Sequence, residues 1–325
     1  MSATPAELDR AADILRHGGV VAFPTETVYG LGANALSPAA VARVFEIKGR
    51  PRFDPLIVHV AGQAEAEQLA LQFSRLAARL AERFWPGPLT LVLPRREIVP
   101  DIVTSDLPSV ALRVPDHPMA LELIRKTGRP LAAPSANPFG QISPTTAEHV
   151  RSQLGPLVDA ILDGGPCRVG VESTVLWLAG EGPPRLLRPG GVPLEEIQAL
   201  AGEVLLGPPP EEEGETTAAH PLAPGMLARH YAPRTSLTLV QEGQAAHLGG
   251  EAAGLLAWRC CDSPERWKNV EILSTTGDLR EAAANLFAAL RRLDAAGCAS
   301  LVAERVPDQG LGRAINDRLH RASHQ

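Results

Sequence analysis

Residues 19–59 run strand, polar loop, helix, basic turn, strand, and a chain built this way belongs to the α/β class. Residues 20–23 are a short apolar run with glycines before it and Pro24 after it, the pattern of a buried strand. Pro24-Thr25-Glu26-Thr27 then sets two hydroxyls and a carboxylate just past the strand's end. Gly30 and Gly32 are read as a sharp turn. Ser37-Pro38 has the form of a helix start, serine as cap and proline in the first turn. Val41, Val44, Phe45 and Ile47 give that helix its apolar side, and Lys48-Gly49 its end. Arg50, Pro51 and Arg52 lead into a second apolar strand at 56–60, with His59 inside it. Hydroxyls, an acid, three cations and an imidazole on loops beside a sheet compose an anion-handling site.

The remaining chain keeps alternating. Leu8, Ala11, Ala12 and Leu15 repeat at helical spacing. One long helix is expected over 65–84, stopped by Trp85-Pro86-Gly87-Pro88. Strands are expected at 89–93, at 110–114 with Arg113 inside, at 130–133, 160–162, 171–178 and 185–188. A helix is expected at 117–126, and Ser143-Pro144-Thr145 is expected to open another. The sum is a sheet of roughly seven strands with flanking helices. Near Gly207 the composition shifts: GPPPEEEGE lacks apolar periodicity and reads as a solvated, semi-extended linker. Strands at 237–240, 253–258, 270–273 and 300–304, with helices at 279–295 and 314–322, make a second, smaller open sheet. At 325 residues the expected division is 1–206, a linker at 207–235, and 236–325.

Composition narrows the partners. A net charge of −6 and 4% aromatic residues argue against a nucleic-acid coat, while leaving room for a local basic groove. Cys167, Cys260, Cys261 and Cys298 show no CxxC spacing, so a reducing compartment without structural zinc is expected. Acidic Glu7 and Asp9 near the start, and no apolar run of membrane length, point to a soluble cytoplasmic protein.

Arg113 is the most telling single residue, because a guanidinium inside an apolar strand needs a carboxylate or phosphate, from the protein or from a ligand. The others have ordinary explanations when taken singly. Lys48 complements a helix C-terminus, His59 is a core histidine, Ser143 and Thr145 cap a helix, and Ser135 shapes a turn. No Walker loop, GxGxxG or GxSxG elbow is present. Together, hydroxyls and separated cations at strand ends without a strong nucleophile suit a site that binds a nucleotide and a small polar acid and lets them react.

PTETVYGLGANA, KGRP, PLIVHV, FWPGPLT, VALRVP, APSAN, SPT, VESTV and LRPGG occur here in the order seen in the YrdC-like threonylcarbamoyl-AMP synthases. HYAPRT and the terminal GLGRAINDRLHRA resemble the long, two-domain form. The resemblance implies a twisted open mixed sheet with a basic groove, followed by a smaller Rossmann-like α/β domain. It implies an ATP-dependent nucleotidyltransferase that joins L-threonine, bicarbonate or carbon dioxide, and ATP into L-threonylcarbamoyl-AMP, releasing pyrophosphate. A separate transferase complex then modifies adenosine 37 of tRNAs reading codons that begin with A. Carried over by motif, Thr27, His59, Arg113 and Ser173, with the backbone at Ala133, are threonine contacts. Lys48, Arg50, Asp54, Ser109, Ser135, Asn137, Ser143 and Arg188 are ATP contacts, and His230 and Tyr231 belong to a lid. Lys48, Arg50 and Arg113 are expected to matter most for the chemistry. Asp54 stands where many relatives have asparagine, so its contact is in question. Magnesium is expected with the nucleotide, without a protein-held metal site, and a weak direct contact with tRNA is left open. A basic groove that only holds RNA, a carbamoyl-transfer protein of hydrogenase maturation, and a ligand sensor are the alternatives. The second of these carries zinc-finger cysteine pairs that this sequence lacks.

Overall fold

The computed structural model describes residues 3–209 and 221–324. The first helix, α1 (Pro5–Arg16), opens on a capping box: the Thr4 hydroxyl accepts from the Glu7 amide, and the Glu7 carboxylate accepts from the Thr4 amide. Next come β1 (Val21–Phe23) and, antiparallel to it, β2 (Gly30–Asn34). The glycines expected to form a turn are therefore strand residues. A Cβ on Gly32 would sit 2.6 Å from Phe23 Cε1, so this glycine serves close approach between neighbouring strands. The next helix, α2 (Pro38–Lys48), follows expectation, with the Ser37 hydroxyl accepting from the Ala40 amide. The chain then enters β3 (Ile57–His59).

The single helix expected over 65–84 is two, α3 (Gln63–Leu69) and α4 (Arg75–Phe84). Between them Ala70 is extended and bridges Arg95, the Leu71 amide donates to the Pro94 carbonyl at 2.7 Å, and the Ser74 hydroxyl accepts from Ala77. A serine cap and a strand-end partner override the Ala/Leu propensity there. After β4 (Leu89–Pro94), α5 (Asp101–Thr104) and β5 (Ser109–Arg113), α6 (Pro118–Thr127) uses His117 as its cap. Beyond β6 (Leu131–Ala132), Ser143 and Thr145 do not open α7 (Ala147–Leu154). Thr146 caps it, its hydroxyl accepting from His149, and Ser143 donates instead to Glu172. Next are β7 (Ala160–Ile161), β8 (Thr174–Trp177), β9 (Arg185–Arg188), α8 (Leu194–Ala201) and β10 (Leu205–Leu206).

These ten strands form one mixed sheet in the order β10-β9-β8-β4-β5-β3-β6-β2-β1-β7, rather than the roughly seven expected. Glycines obscure β2 in the sequence, and β10 is too short to show a period. The second unit matches expectation. It comprises β11 (Leu237–Val240), β12 (Ala253–Ala257), β13 (Asn269–Ile272), α9 (Leu279–Ala295), β14 (Ser300–Glu304) and α10 (Gly312–Ser323). Its strands pair all-parallel in the order β11-β14-β12-β13. No helix of the described residues is long and apolar enough to cross a membrane.

Each sheet has its own apolar cluster, one including Val44, Leu91 and Leu112, the other Leu286, Phe287 and Leu319. Val28, Ile142 and Val171 of the first unit join the second unit's cluster. A smaller cluster joins Ala223 to Ile57, Val92, Ala111, Val175 and Leu187, residues of β3, β4, β5, β8 and β9. The connecting segment therefore lies on a face of the large sheet before the chain enters β11. The Glu-rich stretch at 210–215, expected as solvated linker, falls outside the described residues.

Candidate active site

Parallel pairing of β3 with β5 sets His59 beside Arg113. Arg113 Nη2 donates to Glu26 Oε1 at 2.6 Å and to Thr27 Oγ1 at 2.9 Å, and its Nε donates to the Gly87 carbonyl at 3.3 Å. Of the partners the sequence left open for Arg113, the protein supplies a carboxylate, Glu26, whose Oε2 also accepts from the Asp116 amide at 3.0 Å. None of these bonds uses Nη1. Thr25 ties the loop, its hydroxyl donating to the Val28 carbonyl at 2.6 Å, which fixes Thr27 at the strand's mouth. Burial and the neighbouring Arg113 drive His59 down to about 3, so the imidazole is neutral at working pH.

A second set of cations lies on other strand ends and loops. Arg188 donates to the Ser173 carbonyl from Nη2 at 2.9 Å, and to the Pro224 carbonyl from Nη1 at 2.9 Å. The Ser173 hydroxyl pairs with that of Thr90 at 2.7 Å. Arg50 donates to the carbonyls of Asp54 and Pro55 at 3.0 and 2.8 Å. Its Nη2 also lies 2.9 Å from Asp54 Oδ2, an ion pair of wholly buried partners without hydrogen-bond alignment. Lys48 Nζ, at the end of α2, donates to the carbonyls of Ser135 and Asn137. The connecting segment forms the remaining wall. Tyr231 has a left-handed backbone, φ 62°, uncommon outside glycine, and its ring stacks on Phe287 at 5.7 Å. His230 packs edge-on against Phe139.

These groups surround a partly open cavity with about 530 Å³ of space between them, counted together with the solvent at its mouth. Thr27, Arg50, His59, Arg113, Ala133, Ser135, Ser173, Arg188, His230 and Tyr231 line it, with Glu172 and Gly225. Lys48, Asp54, Ser109, Asn137 and Ser143 do not line it. Lys48 and Asn137 instead brace the Ser135 loop, and Asp54 braces Arg50. Among the described residues, buried side-chain atoms without a hydrogen-bond partner are Asp54 Oδ1 and Oδ2, His59 Nδ1, Ser109 Oγ, Asn137 Oδ1, His230 Nδ1, Tyr231 Oη and Arg291 Nε. All but the last belong to residues named from the sequence; His59 Nδ1, His230 Nδ1 and Tyr231 Oη belong to residues that line the cavity, where unmet polar groups mark where a ligand belongs.

The electrostatics have the same sense. Burial and the adjacent Arg50 push Lys48 well below its ordinary value. Burial and the cations Arg50, Lys48, Arg188 and Arg318 keep His230 neutral. Burial raises Asp54, although Arg50 and Lys48 pull against it. Burial also works to raise Glu172, but Arg318 and Arg188 outweigh it and hold the carboxyl below its usual range. An incoming polyanion relieves this crowding of positive charge.

Two predictions arise here. Asp54 screens Arg50, so Asp54→Asn is expected to lower KM for ATP by about two- to fivefold. Protonating Asp54 has the same sign, so in the unaltered protein KM for ATP falls as pH falls through its raised pKa, and the variant lacks that dependence. Matching pH profiles in the two proteins reject the screening. Gly225, at φ 78°, sits where a Cβ would be 2.5 Å from Tyr231 Oη and 2.8 Å from Arg188 Nη1. Gly225→Ala therefore strains the backbone by about 1–2 kcal/mol, or about 5- to 30-fold if taken from ATP binding. An unchanged KM for ATP excludes this wall from the nucleotide site.

Sequence reasoning counted Glu26 among the loop groups of an anion-handling site but gave it no role, and left Glu172, Thr90, Gly225 and Arg318 out. Glu26 and Glu172 carried a usable signal, since each lies in a motif otherwise apolar or hydroxylic, where a carboxylate needs a cation.

Comparison with known proteins gives concordant results. Residues 13–190 match the "Telomere recombination" family model, and residues 192–324 match the model for the threonylcarbamoyl-AMP synthase C-terminal domain. A threonylcarbamoyl-AMP synthase of Pyrococcus abyssi is 47% identical over 324 residues, covering 96% of this chain and 93% of that one. One of Bacillus subtilis is 42% identical over 335 residues, covering 99% and 94%. The crystal structure of P. abyssi Sua5 complexed with L-threonine superposes with a TM-score of 0.88 at 44% identity, covering 97% of this chain and 94% of that one. With both units matched in order and full-length relatives on either side, the chain belongs to the threonylcarbamoyl-AMP synthase family.

Proposed function

We infer that this enzyme joins L-threonine, bicarbonate or carbon dioxide, and ATP into L-threonylcarbamoyl-AMP and releases pyrophosphate. The observation that carries this is one cavity lined by Arg113, His59, Arg50 and Arg188, into which His59 Nδ1, His230 Nδ1 and Tyr231 Oη bring buried polar atoms without a hydrogen-bond partner. Threonine's amine adds to carbon dioxide, giving a carbamate and a proton. A carbamate oxygen then bonds to the α-phosphorus while the bond to the β-phosphate bridging oxygen breaks. Orientation and charge neutralisation supply the rate, so no protein nucleophile is required.

In this reading Thr27, His59, Arg113, Ser173 and the Ala133 backbone hold threonine, with the neutral His59 placed to accept a hydrogen bond from it through Nδ1. Arg50, Ser135, Arg188, His230 and Tyr231 face the nucleotide directly. Lys48, Asn137, Asp54, Ser109 and Ser143 support it from behind or reach it once it is bound. Magnesium travels with ATP. Glu26, Glu172 and Asp54 are each paired with an arginine, which leaves the ion to the phosphates. We assign 1–206 to catalysis, 207–235 to linker and lid, and 236–325 to the small C-terminal domain. We place the enzyme in the cytoplasm, upstream of a transferase complex that forms N6-threonylcarbamoyladenosine at position 37 of tRNA.

The test is a reaction of purified protein with ATP, magnesium, L-threonine and bicarbonate, following pyrophosphate and the adenylate by mass. Product that requires both threonine and bicarbonate is expected. Pyrophosphate release indifferent to bicarbonate means another adenylating activity, and ATP binding without turnover means a binding module.

A further inference from the structure

The cavity is completed from the far end of the chain. Arg318 lies on α10, in the terminal GLGRAINDRLHRA stretch, and has no exposed surface. Its Nε donates to Glu172 Oε2 at 2.6 Å, its Nη2 to the Pro189 carbonyl at 3.0 Å, and its Nη1 to Asp317. Its guanidinium lies 4.9 Å from the centroid of the Tyr231 ring. Glu172 Oε1 in turn accepts from the Ser143 hydroxyl at 2.6 Å. One turn further along α10, Arg321 donates through Nε to Asp317 at 3.0 Å, and through Nη1 to the carbonyls of Met226 and Leu227 at 2.8 and 2.6 Å.

One helix of the second unit thus grips both a pocket carboxylate of the first and the connecting segment that walls the pocket. Every nitrogen of the Arg318 side chain is occupied, and its partners are Glu172, the turn after Arg188, and the neighbouring Asp317 on α10 itself. A buried apolar residue would join the units with less desolvation cost, so a buried guanidinium here is explained by what it holds in place. A lysine has one point of charge and no planar fork, and does not reproduce that set.

We propose that Arg318 is a positioning residue of the active site: it fixes Glu172 with Ser143, the Arg188-Pro189 turn and the Tyr231 ring in one arrangement. Synthesis therefore depends on α10 as well as on the ten-stranded sheet. The proposal rests on the assignment of Ser143, Arg188 and Tyr231 to the nucleotide.

The test uses the full chain with Arg318→Lys, Arg188→Ala and Arg321→Gln, each checked for fold by circular dichroism and assayed with ATP and threonine varied separately. Arg318→Lys is expected to lower kcat/KM for ATP about tenfold or more, with KM for threonine within about twofold. A folded Arg318→Lys protein with kcat/KM for ATP within about twofold overturns the proposal, as does an equal rise in KM for threonine. If Arg318→Lys does not fold, Arg321→Gln decides. Faster amide exchange across residues 226–231 with weaker ATP use supports the proposal, and no change in either overturns it. Arg188→Ala separates the two ideas. If it spares ATP, the nucleotide assignment falls and this proposal with it. If it impairs ATP while Arg318→Lys does not, only the proposal falls.

Discussion

Arg113→Ala raises KM for L-threonine by about 30- to 5,000-fold, the range expected when one partner of a buried, hydrogen-bonded charge pair is truncated. KM for ATP stays within about threefold, because Arg50 and Arg188, assigned to the nucleotide, share no hydrogen-bond partner with Arg113. The asymmetry is the informative part, since a global loss of structure moves both constants. Some destabilisation accompanies it. Glu26 has lost its cation and keeps the Asp116 amide as a donor, at about 3–5 kcal/mol for an orphaned buried charge. Arg113→Ala with Glu26→Gln separates the two effects. Stability is expected to return in part, measured by thermal melting, while threonine binding stays lost. If threonine binding returns with stability, Arg113 only supports the fold.

A chain ended after residue 206 is expected to keep its sheet and lose synthesis by about 1,000-fold or more, roughly 4 kcal/mol at the transition state. The sheet survives because its main apolar cluster is built within the first unit, and only Val28, Ile142 and Val171 belong to the other cluster. Activity does not survive, because Arg188 loses the Pro224 carbonyl, Glu172 loses Arg318, and the Tyr231 wall is gone. Water then reaches the site and weakens each charge interaction left in it. Circular dichroism and pyrophosphate release on the same preparation check both halves. A folded fragment retaining more than about a tenth of the activity rejects the connecting segment as part of the site.

The sequence carried local information faithfully and long-range information poorly. Ser37 as cap of α2, all four strands of the second sheet, and the need of Arg113 for a counter-charge are each consequences of a few adjacent residues. The identity of that counter-charge is not local, because Glu26 and Arg113 meet only through the pairing of β3 with β5 and the loop after β1. Residues 65–84 mislead for the same reason, since the break at Ala70 is made by strand-end groups at Pro94 and Arg95. Glycine misleads differently. In β2 it signals a neighbour's ring, and in a single sequence that is indistinguishable from a bend. Arg318 was the hardest to see. A charged residue on an amphipathic helix is ordinarily solvated, and its burial follows from how two separately folded units meet.

The seat of Ala223 on five strands of the large sheet bears on timing. The backbone that walls the cavity rests on apolar residues and is pinned by arginine-to-carbonyl bonds at 224, 226 and 227. On the proposed reading, each catalytic cycle includes peeling that segment away and laying it down again. Throughput then follows the frequency of a small detachment, and changes in viscosity or temperature act on the enzyme mainly through that step. If the segment covers a water-sensitive mixed anhydride in this way, the interval between bond formation and release becomes a property of the connecting chain.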